Sequence, residues 1–354
     1  MTLAALENAV KDGAHITFGR IRKVMSRLKI SAISYLNTAP LMWDFEHTEA
    51  SADFDISYTI PSACAEALRM GTADIGIIPA AAYTTVPDLV IIPDVAIAAR
   101  RAVRSILLVG KKPVASLSRG PSLSGNMMSG DTLSNNPSNH PSNDASNDAS
   151  DDLLKEQWLT RVRTVALDTS SMTSVALAKI LFAKWLGGAR DYKPMPPDLD
   201  AMLSACDAAL LIGDPALQVD HARYFTLDLA EEWVARTGKS FVFAFWAIRK
   251  QALVGKKAGR EAGRNPDGNA ELNGAAIAEV FKRSRDHGVS PKNLETIAQE
   301  WAPRLGLAVE VVRVYLTQNI HYYLDPPCLE GLELYYRLGA EVGALPPSPE
   351  LQFV

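Results

Sequence analysis

Lys29–Leu41 reads KISAISYLNTAPL, a short apolar run that breaks into Tyr-Leu-Asn-Thr and then a proline. Residues 30–36 carry enough alternating apolar and β-branched character to predict a strand. Asn37 and Thr38 are helix-capping types, and Pro40 suits the first turn of a helix. The stretch therefore predicts a strand that runs into an amide-bearing turn at the mouth of a helix. In an open α/β sheet, ligands bind at such carboxyl ends of strands.

The same alternation repeats outward from this point. Phe54–Thr59 predicts a strand, and Pro61-Ser62 opens a helix that Gly71 closes. Asp74–Ile78, Leu89–Pro93 and Ser105–Val109 predict buried strands, and Pro40–Phe45 a helical stretch. Further on, Val162–Asp168, Ala208–Ile212 and Phe241–Arg249 predict strands, with helices from Val175 to a Gly pair and at Glu231–Arg236. Four helical segments close the chain, at Ala275–His287, Pro291–Leu305, Val309–Ile320 and Leu329–Val342. This order predicts a doubly wound α/β protein with a helical tail. Two stretches stand outside it. Residues 116–152 are dominated by Ser, Asn, Asp, Gly and Pro, a composition that cannot bury enough apolar surface to offset its ordering entropy. They predict a disordered insert between two strands; residues 255–273, rich in Gly, Lys, Arg and Asn, predict a second exposed loop. Residues 1–25 read as an N-terminal extension.

Bulk properties exclude several classes. The chain has 354 residues, enough for two domains, with 47% hydrophobic and 21% charged residues and a net charge of −4. No basic stripe with interleaved aromatics predicts a nucleic-acid partner, and no apolar run reaches the roughly 20 residues of a membrane span. The first 25 residues lack the continuous apolar core of a secretory signal. Cys64, Cys206 and Cys328 are odd in number and far apart, which fits a reducing, cytoplasmic location rather than a disulfide framework. The sequence leaves the oligomeric state open.

Four strand ends run into hydroxyl- or amide-rich helix starts: Tyr35–Thr38, Ile60–Ser62, Asp168–Ser174 and Ile212–Asp214. A helix N-terminus offers unpaired N–H groups and the positive end of the dipole, so it holds a carboxylate or phosphate. Asp168–Ser174 (DTSSMTS) has more hydroxyls than one cap needs, which points to anion binding; Ser62 alone reads as a cap. Asp214 is the best-placed carboxylate, although Asp before Pro also forms turns. No dinucleotide fingerprint, P-loop or nucleophile elbow is present. The six histidines are dispersed with no metal-ligand spacing. The expectation is a cleft lined by neutral donors, with no metal and no cofactor.

The segments ISYLNTAPL, TIPSACAEALRMGTADIGIIP, SILLV, DTSSMTSVALAKIL, LLIGDPAL, LDLAEEWVARTGKSFVFAFWA and YLTQNIHYYL, in this order, resemble the menaquinone-biosynthesis enzymes of the futalosine route. The SYLNTAPL start resembles their chorismate dehydratase branch. The resemblance covers most of residues 28–342. It implies a periplasmic-binding-protein type II-like fold, with two α/β lobes joined by two crossover strands. The lobes map here to about 26–103 plus 241–354 and to about 104–240. It implies a small-molecule substrate, chorismate, dehydrated to 3-[(1-carboxyvinyl)oxy]benzoate with the substrate's own enolpyruvyl carboxylate as base. Under this resemblance Asn37 is the expected catalytic residue, orienting the departing hydroxyl or the enolpyruvyl group, and Thr173 and Ser174 clamp a carboxylate. Thr38, Ser62, Ala80, Ser105 and Asp214 are further expected contacts. Ala80 departs from the pattern, since some relatives carry serine there. The sister branch, which makes 1,4-dihydroxy-6-naphthoate, uses a histidine base where this chain has Ile212-Gly213-Asp214.

Overall fold

The computed structural model describes residues 27–113, 144–254 and 274–354. The expected N-terminal extension at 1–25, the loop at 255–273 and residues 116–143 of the long insert lie outside the described residues.

The chain begins with β1 (Leu28–Ile33), which pairs in parallel with β2 (Phe54–Thr59) on one side and β3 (Ile75–Pro79) on the other. Between β2 and β3 lies α1 (Pro61–Met70). Proline at its first position needs no N–H partner, and Gly71 closes it at φ +70, a left-handed conformation that glycine adopts without steric penalty. β3 is buried along its whole length, as its unbroken IGIIP run requires of a strand covered on both faces. β4 (Leu89–Ala99) is longer than the sequence suggested and carries the chain out of this sheet.

A second sheet forms from β5 (Ile106–Lys111), β6 (Thr164–Asp168), β7 (Asp191–Met195), β8 (Ala208–Ile212) and β9 (Tyr224–Asp228), in the order β7-β6-β8-β5-β9. Helix α2 (Asp144–Arg161) precedes β6 and takes in the end of the stretch predicted as an irregular insert. Its residues 153–161 carry Leu153, Leu154, Trp158 and Leu159, an apolar face that the Ser/Asn-rich composition upstream conceals. α3 (Thr173–Lys184), α4 (Leu199–Ala205) and α5 (Leu229–Thr237) follow β6, β7 and β9. α4 and the inner face of this sheet enclose a small separate core around Leu107, Ala166, Met202, Leu203 and Leu211.

From α5 the chain returns as β10 (Phe241–Arg249), which inserts antiparallel between β3 and β4 and completes a first sheet of order β2-β1-β3-β10-β4. β10 is buried over Phe241–Ile248, and its aromatic side chains knit both lobes into one large core. The two lobes are thus joined by two passages, β4 to β5 outward and α5 to β10 back. α6 (Gly274–Gly288), α7 (Pro291–Leu305), α8 (Val309–Val314) and α9 (Pro326–Glu341) form the tail. A single π-turn, Tyr315–Asn319, interrupts the helix expected over Val309–Ile320.

The Asn37 segment is a tight turn of 3₁₀ helix, Leu36–Met42, clamped by α6. Ser284 donates to the Leu41 carbonyl at 2.9 Å and accepts from the Asp44 N–H at 3.0 Å. Gly288 lies so close that a Cβ there would stand 1.8 Å from the Pro40 carbonyl oxygen. Gly288→Ala must push the turn or the helix away, and we expect it to destabilise the protein by about 1–3 kcal/mol in chemical denaturation, the usual cost of overpacking. An unchanged midpoint refutes this contact.

Candidate active site

The carboxyl ends of β1, β2, β3, β6 and β8 and the outward passage converge where the lobes meet. They border a cavity with about 480 Å³ of empty space, its solvent mouth included. Its apolar wall comes from Ile33, Pro61, Ile97, Ile106, Ile212 and Phe243. Its polar wall comes from Tyr35, Asn37, Ser105, Ser171, Thr173 and Ser174. Among the described residues, no Lys, Arg or His lines the cavity. The cavity is apolar in the main, with a few convergent donors, as small-molecule sites are.

The DTSSMTS run does two jobs. Ser171 Oγ accepts the Ser174 N–H at 3.2 Å, so it caps the start of α3 and keeps its own proton free to donate. The Ser174 hydroxyl also borders the cavity, beside first-turn N–H groups that have no partner within the helix. Thr173 behaves differently. Its hydroxyl donates to the Phe243 carbonyl at 3.0 Å and accepts the Ala81 N–H at 3.1 Å. Its carbonyl accepts from the Tyr335 hydroxyl at 3.0 Å. The proton that the sequence reading assigned to a substrate carboxylate is therefore given to the opposite lobe. Upstream, Asp168 accepts from the N–H and hydroxyl of Ser170 at 2.8 and 2.6 Å, while its second oxygen is buried without a partner. Ser170 in turn receives the Ser62 N–H at 3.1 Å through its carbonyl.

Ser105 lies at the crossing between the lobes and is held from three directions. Arg104 adopts φ +65, and its N–H donates to Asp228 at 2.6 Å. A non-glycine residue there carries a strain of about 1–2 kcal/mol, which the Asp228 contact offsets. The Ser105 carbonyl accepts the Gly213 N–H at 2.8 Å, and its hydroxyl accepts from Tyr315 at 2.9 Å. Gly213, at φ +61, packs under the Tyr35 ring, where a Cβ would stand 2.7 Å from ring carbons. Glycine is required there for both reasons.

Asn37, Ser105, Thr173 and Ser174 are thus brought to the cavity. The other expected contacts are not among its lining residues. Thr38 is buried behind Asn37 and donates to its Oδ1 at 3.4 Å. Ser62 sits in the first turn of α1, where only Pro61 reaches the wall. Ala80 is fully buried, and its carbonyl accepts from Tyr336 at 2.7 Å. Asp214 accepts the Leu36 N–H at 3.1 Å and joins the lobes beside the cavity. Sequence reasoning missed Tyr35, Ser171 and Tyr315, although all three lie inside segments it quoted.

A model of the family described as menaquinone biosynthesis matches residues 28–127 and 149–341. The chain belongs to that family. A chorismate dehydratase of Thermus thermophilus is 31% identical over 208 residues, a match spanning 54% of this chain and 66% of that enzyme, just under two thirds of its length. Among solved structures, the periplasmic aliphatic sulphonate binding protein of Escherichia coli superposes with a TM-score of 0.53 at 14% identity, over 93% of this chain and 94% of its own. A Candida albicans protein described as having the generic periplasmic binding protein fold does so with a TM-score of 0.55 at 10% identity, over 92% of each chain. The fold is that of the periplasmic binding proteins.

One cluster outside the cavity has metal-ligand chemistry: His321, Asp325 and Cys328, with ligand atoms within 4.8 Å of one another. Arg100 already pairs with Asp325 and lies 3.2 Å from the His321 ring nitrogen. Burial pushes the Cys328 thiol up to about 12, so the cluster holds a cation of its own and a protonated thiol. No helix among the described residues is long and apolar enough to cross a membrane.

Two predictions follow from the lobe contacts. Thr173→Val keeps the volume but strands the buried Ala81 N–H and Phe243 carbonyl; we expect a loss of about 1–3 kcal/mol in denaturant titrations. Burial raises the Asp214 carboxyl to about 6, against which the Leu36 N–H acts only partly. A carboxyl that holds its proton more tightly when folded contributes stability below its unfolded value, and loses it as pH rises through about 6. Asp214→Asn removes this ionisation. The variant should therefore melt higher than the wild type at pH about 7.5, with the advantage gone by pH about 4; equal differences at both pH values would overturn the assignment.

Proposed function

We propose that this protein is a chorismate dehydratase acting in menaquinone biosynthesis. Family membership and the named Thermus relative point to the pathway and the reaction. The observation that carries the reading at the site is a cavity whose polar lining consists of neutral donors at helix and strand ends. Chorismate brings two carboxylates, which hydroxyls and helix N–H groups can hold without a fixed cation. Its cyclohexadiene ring meets the apolar wall of Ile33, Ile97, Ile212 and Phe243.

The reaction needs little from the protein beyond placement. The ring C3–H is acidified through the conjugated diene carboxylate, and the substrate's enolpyruvyl carboxylate takes that proton. The C3–H electron pair enters the ring, the C4–O bond breaks with its pair on oxygen, and the departing hydroxide takes up a proton to leave as water. The ring becomes aromatic as 3-[(1-carboxyvinyl)oxy]benzoate. Holding base and C3–H together converts the proton transfer to an oriented intramolecular step. Donors aimed at the ring carboxylate and at the leaving oxygen stabilise the charge as it shifts. In this reading Asn37 and Ser105 face the leaving hydroxyl, while Ser171 and Ser174 with the start of α3 hold a carboxylate. The lobes correspond to about 26–103 plus 241–354 and about 104–240, with the substrate between them. The reaction is that of a hydro-lyase in the cytoplasm, where chorismate is at hand.

The binding-protein neighbours favour a second reading, a non-catalytic receptor for an aromatic dicarboxylate. Purified protein incubated with chorismate separates the two. The enzyme yields an aromatic enolpyruvyl benzoate, seen by ultraviolet absorbance and mass; a receptor returns chorismate unchanged, and turnover of a cyclic futalosine substrate instead marks the sister naphthoate synthase. Asn37→Ala should lower kcat at least about 100-fold with the melting temperature preserved, the scale of losing one oriented donor. Near-wild-type turnover removes Asn37 from the chemistry.

A further inference from the structure

The Tyr315 hydroxyl lies against Ser105, one residue behind the cavity wall, and has no role in the reading above. It sits on the π-turn Tyr315–Asn319, the one break in the tail helices between Val309 and Asn319, and is 1% exposed. π-turns inside helices recur at functional sites because they re-aim a side chain. Here the turn sends the phenol across to Ser105, 210 residues earlier in the chain.

The direction of the hydrogen bonds is what matters. The Tyr315 O–H donates to Ser105 Oγ at 2.9 Å. A hydroxyl that accepts on one side must aim its own proton elsewhere, and the remaining surroundings of Ser105 Oγ are the cavity that Ser105 lines. Burial drives the Tyr315 phenol well above its ordinary value, with Ser105 and the Asn37 amide opposing and Asp214 and Asp228 adding to the rise. The phenol therefore stays protonated across the working range and keeps an O–H to give to Ser105. Beside it, Thr38 donates to Asn37 Oδ1 at 3.4 Å, which fixes the oxygen end of that amide.

We infer that Tyr315 is a positioning residue that fixes the proton polarity of Ser105, so that this side of the cavity presents a hydroxyl donor and selects a ligand group that accepts. The inference rests on the chorismate reading for its catalytic consequence, though not for its geometry. With the phenol in place, Ser105 points its O–H at the leaving oxygen. Without it, Ser105 rotates among partners.

The test is a double-mutant cycle on kcat and KM with chorismate. Tyr315→Phe should lower kcat about tenfold or more with a smaller change in KM, and adding it to Ser105→Ala should cost little further. Losses that multiply, or a Tyr315→Phe enzyme with wild-type kcat, overturn the inference. A second readout needs neither turnover nor the Phe variant. In proton NMR the wild-type protein should show a slowly exchanging Tyr315 hydroxyl resonance, and Ser105→Ala should remove or shift it; a resonance unmoved by Ser105→Ala overturns the contact. Wild-type protein inert to chorismate refutes the functional reading alone, and the resonance then still decides the polarity.

Discussion

The Thr173 hydroxyl is the joint on which the arrangement depends. One oxygen satisfies an N–H and a carbonyl of the opposite lobe, and the same residue's carbonyl takes the Tyr335 hydroxyl from the tail. Both lobes therefore contribute main-chain groups to one buried point. That point sets the distance between the start of α3 and the β10 strand, and so the width of the cavity between them. Ion pairs play no comparable part, because those present lie largely on exposed surfaces, where such pairs contribute little.

The neutral lining has a counterpart just behind it. Asp168, Asp214 and Asp228 all lie where strands of the second sheet end, and burial raises the pKa of each. Two of them organise the wall through main-chain N–H groups, Asp214 through Leu36 and Asp228 through Arg104. These carboxyls fix backbone, and hydroxyls face the cavity. The separation lets an anionic ligand approach donors without meeting a carboxylate directly.

Much of this was legible in the chain. Pro61 and Gly71 marked both ends of a helix, and the apolar runs of β3, β8 and β10 marked buried strands, because local chemistry decides these features. β7 was invisible: DYKPM carries a lysine and a proline, tolerable only on the edge that it occupies. Asn37 and the DTSSMTS turn stood out as donor-rich strand ends. Their division of labour did not, since nothing in the sequence says that Thr173 turns its hydroxyl to Phe243 while Ser171 and Ser174 keep theirs. Tyr315 was hidden for a related reason: its partner is in the other lobe, and a tyrosine in an apolar helix reads as core.

A cavity without a fixed cation also bears on how its ligand arrives. Positively charged clefts draw anions from a distance and lose that pull as salt rises. Here the donors act only at contact range, so capture depends on random encounter and fit, and ionic strength should leave the association rate almost untouched. The corresponding gain is discrimination: inorganic phosphate and other abundant small anions find no charge to hold them, and the site stays open for a ligand that also fills the apolar wall.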